Sequence, residues 1–105
     1  MSREKKVNVM RVLLKAAFDT EKTNDLIRNG KLPELLQGTL EKIKPEAAYF
    51  TTDHGERTCY LVFDMEDSAQ MPVIGEPFFL EGDAEVDFTP VMNWEDLQKG
   101  LSQIS

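Results

Sequence analysis

The sequence predicts one α+β domain in which strand, helix, strand, strand, helix and strand follow in order and a further helix closes the chain. Three observations predict it. Residues 7–18 alternate with a period of two, as a strand's two faces require. Residues 48–65 read as two strands around a glycine-bearing turn, the pattern of a hairpin. Residues 32–43 and 94–104 place their apolar side chains at helical spacing.

The first strand, 7–18, puts Met10, Val12, Leu14, Ala16 and Phe18 on one face and Val9, Arg11, Leu13 and Lys15 on the other. Leu, Lys and Ala also suit a helix, but the β-branched start and the Asp19-Thr20 cap favour a strand ending there. Thr20 to Asn29 then reads as helix, closed by Gly30, a natural left-handed C-terminal residue. Pro33 is tolerated in a first helical turn, so a second helical piece begins near it. Leu32, Leu35, Leu36, Leu40 and Ile43 form its apolar stripe, and Lys44-Pro45 ends it. The two pieces make one broken crossover helix.

Ala48 to Thr52 and Arg57 to Met65 follow as strands around Asp53-His54-Gly55-Glu56. A tight turn at His54-Gly55 sets Thr52 opposite Arg57, Phe50 opposite Cys59 and Tyr49 opposite Tyr60. Phe50, Cys59, Leu61, Phe63 and Met65 then share one face, and Tyr49, Thr51, Thr58, Tyr60, Val62 and Asp64 the other. Asp67-Ser68 caps a second helix carrying Met71, Ile74 and Phe78. Pro72 and Pro77 predict that it is short and followed by a bend. Glu85 to Met92 returns as a strand. Asn93 caps a last helix with Trp94, Leu97, Leu101 and Ile104 on one stripe, Trp94 anchoring it to the body.

This order is that of a ferredoxin-like βαββαβ unit, an antiparallel sheet with helices on one face. The other face collects Arg11, Lys15, Tyr49, Tyr60, Val62 and Asp64, with Asp87 from the last strand. That mixture is too aromatic for a solvated surface and too charged for a core. It predicts a homodimer through the open face, with Arg11 and Lys15 pairing with Asp64 and Asp87 across strands or subunits. A monomer with a polar outer face is the competing reading.

Three segments strengthen this: Lys44-Pro45-Glu46-Ala47-Ala48-Tyr49-Phe50, Glu76-Pro77-Phe78-Phe79-Leu80 and Val86-Asp87-Phe88-Thr89-Pro90-Val91-Met92. With them the chain resembles the small dimeric α+β barrel proteins, nearest to bacterial members with no assigned function. The resemblance implies two ferredoxin-like sheets packed face to face. Such proteins include cofactor-free monooxygenases, small isomerases, haem proteins similar to chlorite dismutase and plain ligand binders, and the fold does not choose among them.

A chain of this length has a folded surface of about 6,000 Å² against about 17,000 Å² unfolded, enough for one thin core. With 19 acidic and 12 basic residues the net charge is −7, which disfavours nucleic acid and anionic membrane surfaces. The basic cluster Arg3 to Lys6 lies in residues 1–6, expected to be a flexible N-terminus. One cysteine, Cys59, excludes an internal disulfide or a cysteine-based metal cluster, and one histidine excludes a multi-histidine metal site within a subunit. No cofactor is expected, haem included. No signal segment or long apolar run is present, so the expected compartment is the cytoplasm.

The candidate catalytic residues are few. His54, the only histidine, is the obvious acid–base candidate, though its place predicts an exposed hairpin tip. Glu76, beside aromatics in the expected bend, could act as a base if its pKa were raised, or simply bond the amides freed there. Tyr49 and Tyr60 could supply a hydroxyl or line a cavity, or pair as aromatics within an interface. Cys59 reads as core rather than nucleophile. Asp83, Glu85 and Asp87 lack the spacing of a calcium loop. Met71 and Phe78 on the second helix, with Arg11, are the candidate ligand-binding residues. The leading expectation is a homodimer that binds a small molecule between helices and sheet. A cofactor-free isomerase or monooxygenase-like enzyme and a structural or regulatory interaction module are the alternatives.

Overall fold

A computed structural model describes residues 9–104. The expected flexible segment 1–6, and Val7 and Asn8 of the predicted first strand, lie outside them. The chain forms β1 (Met10–Ala17), α1 (Thr20–Arg28), α2 (Lys31–Ile43), β2 (Ala47–Asp53), β3 (Glu56–Met65), α3 (Gln70–Gly82), β4 (Glu85–Pro90) and α4 (Trp94–Leu101). The four strands make one antiparallel sheet in the order β2-β3-β1-β4, compatible with a ferredoxin-like fold.

The β2–β3 turn is the tight one. His54 and Gly55 both have positive φ, 53° and 80°, as a two-residue turn between twisted antiparallel strands demands. Its register sets Tyr49 against Tyr60, Phe50 against Cys59 and Thr52 against Arg57, as predicted. Lys15 adjoins Tyr60 on one side and Asp87 on the other, so Tyr49, Tyr60, Lys15 and Asp87 form a row across all four strands. The next row is Ala47, Val62, Leu13 and Thr89. Both rows lie on the open face.

The opposite face is the core. Val12, Leu14, Ala16, Phe18, Cys59, Leu61, Phe63 and Met65 are buried there with Leu35, Ile74 and Phe78 from the helices. α1 starts at Asp19, whose carboxylate accepts from the Lys22 amide at 2.9 Å, and ends before Gly30 at φ 71°. α2 follows at once, so the crossover helix is broken where the glycine predicts.

Asp67-Ser68 does not cap α3, whose N-cap is Ala69 with no side-chain cap bond; the Asp67 carboxylate accepts from the Ala69 amide instead. Two further expectations fail in the helices. α3 runs unbroken for 13 residues through Pro77 instead of bending. Pro77 has no N–H for the carbonyl of Val73 one turn earlier. Lys42 of α2 donates to that carbonyl instead, at 3.3 Å, which relieves the lost bond. Pro72 sits in the first turn, where its missing N–H costs nothing. α3 also lies close to β4: a Cβ on Gly75 would come within 3.2 Å of the Phe88 ring.

The second failure is Trp94, which does not anchor α4. It is 65% exposed, and α4 buries no residue at all. A capping box holds the helix start, with the Asn93 side chain accepting from the Asp96 amide and the Asp96 carboxylate from the Asn93 amide. Arg11 ties it to the sheet through an ion pair to Asp96 at 2.9 Å. Met92, Trp94, Leu101 and Ile104 stay exposed.

Candidate functional site

Helices cover one face of the sheet incompletely. α2 leaves part of the edge strand β2 uncovered: Phe50 points to the helix side yet remains 54% exposed. Between them lies an open groove of about 450 Å³, with walls from Leu32, Leu36 and Phe50 and inner surface from Phe18 and Cys59. That volume is within the usual range of small-molecule sites, about 300–1,000 Å³. Arg57 stands in the lining as its one charged side chain.

The groove's lining includes no carboxylate and no imidazole. Burial pushes the Cys59 thiol up to about 11, so it stays protonated at neutral pH and is a poor nucleophile. Arg57 is held by α1: its Nη1 donates to the Thr23 hydroxyl at 2.7 Å. Thr23 is itself fully buried and donates to the Asp19 carbonyl at 2.8 Å.

A second, charged cleft of about 310 Å³ lies on the open face at its hairpin end, among Lys15, Asp53, His54, Glu56, Glu85 and Asp87. Lys15 Nζ meets Asp53 Oδ2 at 2.6 Å and lies 5.9 Å from the centre of the Tyr60 ring. That hydrogen bond is the main cause holding the Asp53 carboxyl below, and the Lys15 amine above, their ordinary values. His54 Nδ1 stands 3.1 Å from the other Asp53 oxygen. Both oxygens of Asp53 are therefore occupied, which leaves it a poor base. Among the described residues no group of three His, Cys, Asp or Glu side chains is placed to hold a metal ion.

The predicted site residues scatter. His54 is on the hairpin tip with its side chain 91% exposed. Glu76 is exposed in the middle of α3, away from both clefts, because the expected bend is helix. Tyr49 and Tyr60 are neighbours on the open face, Tyr49 being 69% exposed. Phe78 is fully buried with its ring 5.7 Å from that of Phe18, so it fills the core and lines neither of the two clefts, and Met71 is partly exposed on the same helix. Arg11 bonds Glu46 at 2.9 Å as well as Asp96, and Lys15 takes Asp53. Within the chain the expected partners Asp64 and Asp87 are their cross-strand neighbours but not their ion-pair partners, because the long basic side chains reach carboxylates beyond the adjacent strand position.

Sequence reasoning missed the groove's own residues, Leu32, Leu36, Phe50 and Arg57. Phe50 was the available signal: its parity points inward, yet it stands on an edge strand opposite the smaller Cys59. No described helix is long and apolar enough to cross a membrane. The chain matches no family model, no curated protein and no solved structure.

Proposed function

We propose that this chain is a cytoplasmic homodimer of the dimeric α+β barrel type, in which each protomer binds a small apolar molecule in the groove between α2 and the β2–β3 hairpin. The observation that carries the ligand reading is the half-exposed Phe50 facing Leu32 and Leu36 across an unfilled apolar groove of about 450 Å³. Exposed apolar surface of this kind marks ligand or partner sites. Binding without catalysis fits the lining, which offers neither a base nor an ionised nucleophile at neutral pH.

The dimer rests on the other face. Leu13, Val62, Tyr60 and Tyr49 form an apolar and aromatic centre that no other described element covers, with charged groups toward the ends. α4 is joined to that face by the Arg11–Asp96 ion pair, and its Trp94 and Leu101 are exposed. A second copy laid on this face buries both.

The test uses N-phenyl-1-naphthylamine, a neutral apolar dye. Saturable binding at one dye per chain is expected, weakened at least tenfold by Phe50→Ser, with circular dichroism confirming the fold. A stoichiometry or affinity untouched by that substitution removes the groove as the site. Light scattering tests the dimer independently: twice the chain mass at micromolar concentration is expected, falling to one chain in Tyr49→Lys. A monomeric wild type overturns the dimer and leaves the groove reading standing.

A further inference from the structure

We infer that the groove takes an amphiphile with an acidic head, a small monocarboxylate whose apolar body lies against Leu32, Leu36 and Phe50 and whose carboxylate is received by Arg57. This rests on the groove being the ligand site and names the class of ligand.

The described arginines differ in how they are neutralised. Arg11 has Glu46 and Asp96, and Arg28 has Asp25. Among the described residues Arg57 has no carboxylate within ion-pair distance, although the chain carries 19 acidic residues against 12 basic ones. Its bonds go to neutral oxygens, the Thr23 hydroxyl at 2.7 Å and the Thr20 carbonyl at 3.5 Å. Both come from the same terminal nitrogen.

A guanidinium has five N–H donors in a planar fork, and a carboxylate fits two of them at once. With Nη1 fixed by α1, the fork's orientation is set before any ligand arrives. Thr23 is well suited to hold it. The hydroxyl hydrogen is committed to the Asp19 carbonyl at 2.8 Å, so its oxygen faces Arg57 as an acceptor. The half-buried Arg57 thus presents further donors beside a wall of leucine and phenylalanine. An apolar groove with one oriented cation complements an apolar acid, whereas a neutral apolar ligand leaves the charge unused.

The deciding experiment compares decanoate with decanol, which share a chain and differ in the head. Calorimetry on the wild-type protein is expected to show decanoate binding at least tenfold more tightly. Arg57→Gln should abolish that preference, weakening decanoate at least tenfold more than decanol, and Arg57→Lys should retain part of it. Arg57→Glu should turn the preference toward decylamine, a gain that a misfolded variant would not produce. Equal affinities for decanoate and decanol in the wild type would overturn the acidic-head inference and leave the groove reading intact. Decanoate binding that survives Arg57→Gln unchanged overturns it too. Failure of both ligands, together with failure of the neutral dye, overturns both readings. The wild-type comparison needs no variant to fold.

Discussion

Two faces of one sheet are built from the same four strands, and alternate residues lead to opposite fates. On one face Val12, Leu14 and Ala16 of β1 and Leu61 and Phe63 of β3 are almost wholly removed from water by α1, α2 and α3. On the other, Leu13 and Val62 are only half-buried and Tyr49 is largely exposed, with ion pairs at both ends. The two crossover connections carry their helices to the same side. The covered face is therefore completed within the chain, and its specification is local and apolar. The other face is specified by charge and aromatic placement, and no other described element covers it.

Substitutions should sort by face. The largest effect belongs to Phe78→Ala, which removes a fully buried ring packed on Phe18 and opens a cavity in the core. It should cost about 3–5 kcal/mol in urea unfolding. A loss of less than about 1 kcal/mol, within the range of ordinary surface changes, would break the comparison at its root. Gly82→Ala comes next. A Cβ there would stand 2.6 Å from Phe18 Cδ1, and Phe18 is itself buried. Alanine's gain over glycine in a helix, about 1 kcal/mol, is outweighed by overpacking of about 1–3 kcal/mol. The expected result is a lower unfolding midpoint, partly restored when Phe18→Leu is added, since touching residues do not act additively.

What could be read from the sequence divides along the same line. The hairpin register, the strand faces and the break at Gly30 were legible because each depends on residues close in the chain: Phe50 with Cys59, His54 beside Gly55, Asn29 before the glycine. The continuity of α3 was not legible, because the donor that relieves Pro77 is Lys42, 31 residues from the carbonyl it serves. Arg57 could be placed on its strand, but its bond to Thr23 spans 34 residues and follows from where α1 lands. Trp94 shows the limit of an amphipathic stripe. The pattern at Trp94, Leu97 and Leu101 says that a helix has an apolar face and says nothing about whether this chain covers it. The groove escaped for a related reason: parity sends Phe50 toward the helices, while only the packed structure shows that they leave it half-exposed.

The smallest expected effect is also the one that reports on the uncovered face most directly. Lys15 and Asp53 are joined at 2.6 Å and both are partly exposed. The pair lowers the Asp53 pKa, so its contribution to stability is complete above the ordinary carboxylate range and is lost as pH falls through the lowered value. It raises the Lys15 pKa, so the lysine's contribution is complete below the ordinary amine range and is lost as pH rises through the raised value. The pair is whole across neutral pH, and Asp53→Asn should flatten the acid limb of the stability curve below about pH 4. Salt then separates an open face from a covered one. Exposed pairs are screened, and pairs shielded from water are screened much less. With a second copy over the face, the stability lost on Asp53→Asn should be the same at low and high salt. In the Tyr49→Lys background, where the face meets water, that loss should shrink as salt is added. Equal salt sensitivity in both backgrounds would mean that the face is open in each, and that no second copy lies over Lys15 and Asp53.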